Sequence, residues 1–169
     1  MTGYIALGSN LGDRRDHLRA GLDGLAKAGL RLTRISSVWE TEPVGVSDSR
    51  FFWNMAVEIE TGEPPHRVLD ASLRIERAAG RERNGSNGSR TLDLDLLMLG
   101  DLSVADERLQ LPHPRMWTRS FVLAPLAEIV PQLQNPSSGL SVVDELSRIA
   151  HPTRVCSIGA LDRCPTVLL

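Results

Sequence analysis

The order in which strand-like and helix-like patterns alternate along the first part of the chain constrains its fold more than any other feature. Apolar runs and period-two alternation predict four strands, at 4–7, 32–41, 53–59 and 92–96. Apolar residues at helical spacing predict two helices: the first begins after Asp13 and ends at Gly29, and the second begins at Pro64 and ends at Gly80. The resulting order, β-α-β-β-α-β, is typical of the ferredoxin-like fold.

This order predicts an α+β protein in which both helices pack on one face of an antiparallel sheet and leave the other face open for a ligand. After Gly100 we expect a hairpin and two further helices, at 102–104 with 109–111, near 121–129 and at 142–149. A length of 169 residues fits one domain. We therefore predict a single catalytic domain over 1–169, with no structure assigned to the tail at 152–169.

The charge balance and the cysteines narrow the choice of partners. A net charge of −2 provides no basic field for nucleic acid, and no apolar run approaches the about 18–20 residues of a membrane helix. The N-terminal residues lack a signal-peptide pattern, and Cys156 and Cys164 lack the spacing of a disulfide framework or a zinc site. We therefore expect a cytoplasmic protein that acts on small molecules, without nucleic-acid or membrane partners.

Arginine supplies nearly all of the positive charge. Lys27 is the only lysine among 19 basic residues, and the lysine-dependent P-loop pattern is absent. Any bound anion is therefore held by guanidinium groups, which can bind two phosphate oxygens at once. The base composition of the genome explains the same bias equally well.

Two aspartates alternate with leucines in the fourth predicted strand. Asp93 and Asp95 are two residues apart, so their carboxylates point to one face of the strand and the leucines to the other. Neighbouring carboxylates repel each other unless a cation lies between them, and oxygen ligands without His or Cys favour Mg²⁺. The pair is suited to two Mg²⁺ ions that clamp a polyphosphate, and a solvated acidic edge strand is the alternative.

Arginines flank the aspartate pair on both sides. Three precede it and three follow it: Arg81, Arg83, Arg90, Arg108, Arg115 and Arg119. Carboxylates that hold a metal, beside guanidinium groups that hold oxygens, match a metal–triphosphate complex. The alternative for each arginine, considered alone, is an exposed surface residue that binds no ligand.

Aromatic and imidazole side chains complete the candidate site. Phe52 and Asn54 share one face of the third predicted strand, where a ring that stacks and an amide that hydrogen-bonds suit a flat heterocycle. His113 lies between two prolines, where it can donate a hydrogen bond to phosphate. The alternatives are sheet packing for Phe52 and a loop residue without a role for His113.

Five blocks of the chain, taken together, resemble one known family. They are 4–12 (YIALGSNLG), 89–97 (SRTLDLDLL), 107–109, 111–113 and 119–121. In this order and spacing, the chain up to roughly residue 150 resembles the 6-hydroxymethyl-7,8-dihydropterin pyrophosphokinases of folate biosynthesis. The resemblance implies a monomeric, ferredoxin-like enzyme that transfers the β,γ-pyrophosphate of ATP to the hydroxymethyl group of the reduced pterin and releases AMP.

The resemblance also implies roles for individual residues. Asp93 and Asp95 bind two Mg²⁺ ions. The pterin site consists of Thr41, Pro43, Val44, Phe52, Asn54 and Phe121, with the two phenylalanines on either side of the ring. The ATP site consists of Glu76, Arg81, Arg83, Arg90, Leu96, Arg108, His113 and Arg119, of which the arginines at 81, 83 and 90 are catalytic. The segments 42–50 and 80–90 close over both substrates.

Three positions depart from the pattern of the family. Asn87 stands where many members have tryptophan, Leu73 where glutamine is frequent, and Pro114 where an aromatic residue often follows the histidine. These differences bear on loop geometry and affinity more than on the reaction.

Two other classes of protein share the same physical parts. A palm- or cyclase-type nucleotidyl transferase also combines this fold with paired metal-binding aspartates, but it releases pyrophosphate where a pyrophosphokinase releases AMP. A non-enzymatic RNA-recognition or regulatory module has the same fold, and RNA binding that ignores Mg²⁺ would favour it. The acidic net charge counts against this non-enzymatic alternative.

Overall fold

A computed structural model describes residues 1–43, 50–81, 89–149 and 155–161. Its strands are β1 (Thr2–Ser9), β2 (Arg31–Ile35), β3 (Val38–Thr41), β4 (Phe52–Glu60), β5 (Asp93–Leu99), β6 (Val104–Ala105), β7 (Gln110–Leu111) and β8 (Val155–Gly159). Its helices are α1 (Arg14–Lys27), α2 (Pro65–Ala78), α3 (Ser120–Ile129) and α4 (Val142–Ser147), with a 3₁₀ turn at Met116–Thr118. The β-α-β-β-α-β order is thus present, with β2 and β3 together in the second strand position.

Local sequence signals set the ends of the two core helices, as predicted. The side chain of Asp13 caps α1 by accepting a hydrogen bond from the backbone N–H of Asp16 at 3.0 Å. Pro65 begins α2, where a backbone N–H is not needed. Gly29 and Gly80 follow the two helices with φ of 84° and 77°, a left-handed conformation that glycine adopts without steric cost.

The main sheet is antiparallel throughout and has the strand order β5-β1-β4-β3-β8, with β2 also paired to β4. In this order β1 lies between β5 and β4. Gly8 of this strand lies opposite both Asn54 of β4 and Asp93 of β5, and Ala6 lies opposite Asp95. Because paired residues in neighbouring strands point to the same face, this register brings residues from three strands to one surface. The fold is the predicted α+β arrangement of helices on an antiparallel sheet.

The single strand predicted over 32–41 is wrong, because the chain forms two strands there. The interruption falls at Ser36 and Ser37. Oγ of Ser36 accepts the backbone N–H of Ala56 at 2.9 Å, and the N–H of Ser37 donates to the Glu128 carboxylate at 2.9 Å. Side chains thus replace backbone groups as hydrogen-bond partners at this point. The backbone pairing with β4 is therefore interrupted, and it resumes in β3.

The expectation that one face of the sheet stays open is also wrong. A first core lies between the sheet and the helices α1 and α2, and it includes Ile5, Leu7, Leu22, Met55 and Leu94. On the opposite face α3 packs over a second core that includes Ala56, Met98, Leu123 and Leu126. Seven of the ten residues of α3 are buried, so this helix needs apolar neighbours on more than one side. The second face is therefore shared between α3 and the candidate site.

The remaining elements lie at the periphery. The predicted hairpin is formed by β6 and β7. A capping box at Ser141 starts α4, which ends at Ser147 instead of the predicted 149. In the tail, for which the sequence indicated no structure, β8 pairs with β3. Within the described ranges no helix is both long enough and apolar enough to span a bilayer.

Candidate active site

Asp93 and Asp95 lie on one face of β5, as their alternation predicted. The other face carries the buried side chains of Leu92, Leu94 and Leu96. On the aspartate face the neighbouring positions of β1 are Gly8, opposite Asp93, and Ala6, opposite Asp95. The two carboxylates therefore lie beside each other on one surface, and the β1 positions opposite them carry nothing larger than a methyl group.

Asp93 is held by two of the predicted arginines. Nη1 of Arg81 donates to Oδ1 of Asp93, and Nη1 of Arg90 donates to Oδ2. The side chains of Asp93 and Arg81 are 15% and 13% exposed, so the cluster is largely shielded from water. Because a guanidinium group has five N–H donors, each arginine can hold Asp93 and still offer donors to a phosphate.

Glu76 lies behind Asp93 and outside the lining of the groove in which ATP is expected. It is 1% exposed, and its Oε1 accepts the backbone N–H of Leu94 at 2.9 Å and a hydrogen bond from Nη1 of Arg81. Glu76 thus ties α2 to β5 and orients Arg81. The ATP contact predicted for Glu76 stays a prediction.

Glu76→Ala should lower the free energy of unfolding by about 2–4 kcal/mol, because the buried N–H of Leu94 and the guanidinium of Arg81 both lose a partner. Urea denaturation measures this change. Glu76→Gln is the control, since it keeps an oxygen acceptor for Leu94 and should lose less stability. A Glu76→Ala variant as stable as the wild type would contradict this role.

The turn after β1 fixes the main chain of Arg90. Oδ1 of Asn10 accepts the N–H of Arg90 at 2.7 Å, and the N–H groups of Asn10 and Leu11 donate to the carbonyl of Arg90 at 3.0 and 3.2 Å. Nδ2 of Asn10 also donates to Oγ of Ser89 at 3.2 Å. The sequence predicted only a turn here, and nothing in its local pattern signals a partner some eighty residues away.

Asp95 differs from Asp93 because, among the described residues, it has no hydrogen-bond or salt-bridge partner. Burial and then the charge of Asp93 raise the pKa of Asp95 to about 6, against an opposing effect of Arg119. A desolvated carboxylate repelled by its neighbour is stabilised by a cation. Within the described ranges no group of three or more His, Cys, Asp or Glu suited to a metal occurs.

The raised pKa of Asp95 implies that this residue makes the protein less stable as the pH rises from about 4 to about 6. In this window the native protein keeps a proton that the unfolded chain has already released, so raising the pH favours unfolding. We expect Asp95→Asn to be more stable than the wild type by on the order of 2 kcal/mol at pH 7 and by much less at pH 4. Urea denaturation at both pH values measures the difference, and a difference that does not change with pH would contradict the assignment.

Asp95 lines a groove of about 480 Å³ between α2, β5 and the β6–β7 hairpin, a volume typical of small-molecule sites. Three residues predicted to bind ATP share this lining: Leu96, Arg108 and His113. Its apolar surface comes from further leucines, including Leu69, Leu73 and Leu109, and Pro114 lines it as well. Charged groups and leucines thus occur together, as the phosphates and the base of a nucleotide require.

His113 is a neutral donor in this groove. Burial, then the charges of Arg119 and Arg115, lower the pKa of His113, so the ring is uncharged at pH 7. Its Nδ1 accepts the backbone N–H of Arg115 at 3.2 Å, which leaves the ring hydrogen on Nε2. His113 can therefore donate from Nε2 to a phosphate oxygen, the role that the sequence predicted. Burial also lowers the pKa of Arg119, which remains a cation close to Asp95.

Thr41 and Asn54 form the polar part of the predicted pterin pocket. Nδ2 of Asn54 donates to Oγ1 of Thr41 at 2.7 Å, and both residues are buried, so the orientation of the amide is fixed. Phe52 is half-buried on the same face of β4, and Pro43 follows Thr41 in the chain. Phe121 is half-buried in the first turn of α3, which packs on this face. The sandwich of Phe52 and Phe121 around a pterin ring stays a prediction.

Four residues singled out by the sequence lie outside the described ranges: Val44, Arg83, Asn87 and Cys164. The same holds for most of the two segments predicted to close over the substrates, 42–50 and 80–90.

The sequence analysis missed a carboxylate that fixes the position of α3. Glu128 accepts hydrogen bonds from the N–H and Oγ of Ser37 at 2.9 and 2.8 Å and from Nε1 of Trp39 at 3.0 Å. These bonds tie the end of α3 to β3 and to the bend before it, and thereby set where Phe121 and Arg119 lie over the sheet. The partners are about ninety residues apart, so no local pattern could reveal them.

The geometry described above indicates what kind of enzyme this is. A carboxylate pair, guanidinium groups and a nucleotide-sized groove on one α+β domain are typical of enzymes that transfer phosphoryl groups from nucleotides. A family profile described as 7,8-dihydro-6-hydroxymethylpterin-pyrophosphokinase (HPPK) matches residues 4–131. The chain belongs to this family, which confirms the resemblance found in the sequence.

Relatives in other organisms agree with this assignment. The chain is 44% identical over 147 residues to the 2-amino-4-hydroxy-6-hydroxymethyldihydropteridine pyrophosphokinase of Bacillus subtilis, covering 86% of this chain and 88% of that protein. It is 44% identical over 131 residues to the protein of the same name in Methylorubrum extorquens, covering 77% and 83%. A crystal structure of Plasmodium falciparum HPPK-DHPS superposes with a TM-score of 0.71 at 14% identity, over 86% of this chain and 42% of that one. This last likeness confirms the fold.

Proposed function

We propose that this protein transfers the β,γ-pyrophosphoryl group of ATP to the hydroxymethyl group of 6-hydroxymethyl-7,8-dihydropterin and releases AMP, a step of folate biosynthesis. The names of the two relatives support this reaction. The observation that carries the proposal is the row Asn54–Gly8–Asp93 across three strands. It sets the amide of the pterin pocket about two strand spacings, roughly 10 Å, from a carboxylate of the phosphate site.

Asp93 and Asp95 would hold two Mg²⁺ ions. Their common face, and the raised pKa and missing salt-bridge partner of Asp95 within the described part of the chain, support this assignment. When bound, the ions neutralise charge on the phosphate oxygens and lower the pKa of a nearby alcohol. The remaining coordination positions would be filled by the triphosphate and water.

The transfer forms a bond between the hydroxymethyl oxygen of the pterin and Pβ of ATP, and it breaks the bond from Pβ to the oxygen that bridges to Pα. AMP leaves with the bridging oxygen, and the proton of the hydroxyl group passes to water. Arg81 and Arg90 contact Asp93 and have further donors for the phosphate oxygens. In this account the protein catalyses the reaction by positioning and by charge neutralisation.

The two substrates would bind on opposite sides of β1. The groove along Leu96, Arg108 and His113 suits ATP, whereas the pocket at Asn54 and Phe52 suits the flat pterin. One chain provides all of these residues, and we propose that the monomer is the active form.

The nucleotide product tests this proposal. The protein is incubated with ATP, MgCl₂ and the reduced pterin alcohol, and the nucleotides and pterins are separated by chromatography. We expect AMP and the pterin diphosphate in equal amounts. Free pyrophosphate with a nucleotidylated product would instead indicate a nucleotidyl transferase, and binding of RNA without Mg²⁺ or ATP turnover would indicate the non-enzymatic alternative.

A further inference from the structure

Gly8 lies in β1, the strand between β4 and β5, and thus between the two halves of the proposed site. It is paired with Asn54 on one side and with Asp93 on the other. Its φ is not among the positive values found at other glycines, so the backbone does not require glycine at this position. A glycine inside a strand weakens the strand and often marks a place where another group approaches closely. The reason for glycine here is therefore space.

The atoms around Gly8 show which groups a side chain at this position would meet. A Cβ atom at this position would lie 3.0 Å from Oδ1 of Asn54 and 3.9 Å from Cβ of Asp93. The first distance is shorter than ordinary van der Waals contact, so the Asn54 amide would have to move by a few tenths of an ångström. That amide is buried and bonded to Oγ1 of Thr41 at 2.7 Å, which limits its freedom to move.

We infer that Gly8 is a positioning residue for the transfer: its missing side chain keeps the Asn54 amide in place and leaves open the space between the pterin pocket and Asp93. The inference rests on the proposed function and adds to it the residue that sets the distance between the two substrates. Gly8 acts by letting the Asn54 amide keep its position and by leaving room between the pterin pocket and Asp93. A misplacement of about 1 Å can slow a reaction that depends on positioning by about 10²-fold, so a smaller shift of the Asn54 amide is expected to have a smaller but measurable effect.

Gly8→Ala tests the inference, with Gly62→Ala as the matched control because a Cβ at Gly62 meets nothing within 4 Å. For Gly8→Ala we expect kcat/KM for the pterin to fall by about 10–100-fold, while the affinity for α,β-methylene-ATP changes by less than about twofold. The melting temperature should change little, because the better strand preference of alanine offsets the cost of moving the Asn54 amide. Gly62→Ala should match the wild type in all three measurements.

Wild-type pterin kinetics in Gly8→Ala would overturn the inference, and so would a loss of activity that merely follows a lower melting temperature. Pterin binding provides a readout that does not depend on turnover. The fluorescence of 6-hydroxymethylpterin, titrated in the presence of α,β-methylene-ATP and Mg²⁺, should show weaker binding to Gly8→Ala than to the wild type. If the wild type forms no AMP, the proposed function fails, and equal pterin affinities in this titration would separately overturn the role of Gly8.

Discussion

Asp95→Asn is expected to lower kcat by at least about 10³-fold while the folded protein becomes no less stable. Asparagine has almost the shape of aspartate but no charge, so the substitution removes a cation ligand and the repulsion with Asp93 together. Burial and the charge of Asp93 raise the pKa of Asp95 to about 6, which means that the ionised carboxylate destabilises the native state at neutral pH. AMP formation at saturating ATP and pterin measures the first effect, and thermal unfolding measures the second.

Asp101→Asn is the matched control, since Asp101 is exposed in the turn that follows β5. It should keep the kcat and the melting temperature of the wild type. Undiminished AMP formation by Asp95→Asn would contradict the assignment of Asp95 to the cation. A loss of activity that accompanies unfolding would contradict the claim that Asp95 serves the reaction at the expense of stability.

Arg90→Ala should lower kcat by about 10²–10³-fold and change the KM for the pterin by less than about twofold, because in the proposed reaction the guanidinium stabilises charge on the transferred phosphates, beside Asp93 of β5. The substitution tests the side chain of residue 90 separately from its main chain. The N–H and carbonyl of residue 90 would keep their bonds to Asn10 and Leu11, so the entry into β5 stays in place. Steady-state kinetics with each substrate varied in turn separate the two parameters.

Two further variants make the Arg90 experiment specific. Arg90→Lys keeps the charge without the planar fork and should retain an intermediate rate. Arg74→Ala removes an exposed guanidinium from α2 and should behave as the wild type. An increase in the pterin KM alone for Arg90→Ala would place Arg90 on the pterin side and contradict the proposal.

The core of the fold was predictable because its signals are local. The alternation from Trp53 to Ile59 identified β4, and the cap at Asp13 and the stop at Gly29 bounded α1. The surface that α3 covers was not predictable, because an apolar segment shows that it must be buried but not against what. The break between β2 and β3 depends on Glu128, which is remote in sequence from Ser37.

The candidate site was predictable to the extent that strand periodicity determines it. That periodicity placed Asp93 and Asp95 on one face, and the nearby arginines followed from their closeness in sequence. What periodicity cannot provide is the register between strands that are far apart in the chain. The position of Gly8 between Asn54 and Asp93 depends on that register, as does the burial of Glu76 beneath Arg81.

The position of the bound cation decides whether Asp93 and Asp95 form the metal site. Crystals of the wild-type protein grown with Mn²⁺ and α,β-methylene-ATP, measured at the manganese absorption edge, show where the metal lies by its anomalous scattering. We expect manganese bonded to oxygens of both Asp93 and Asp95, with the triphosphate held by Arg81 and Arg90. Manganese remote from both carboxylates, with the nucleotide bound and Asp93 still paired to its arginines, would contradict this expectation.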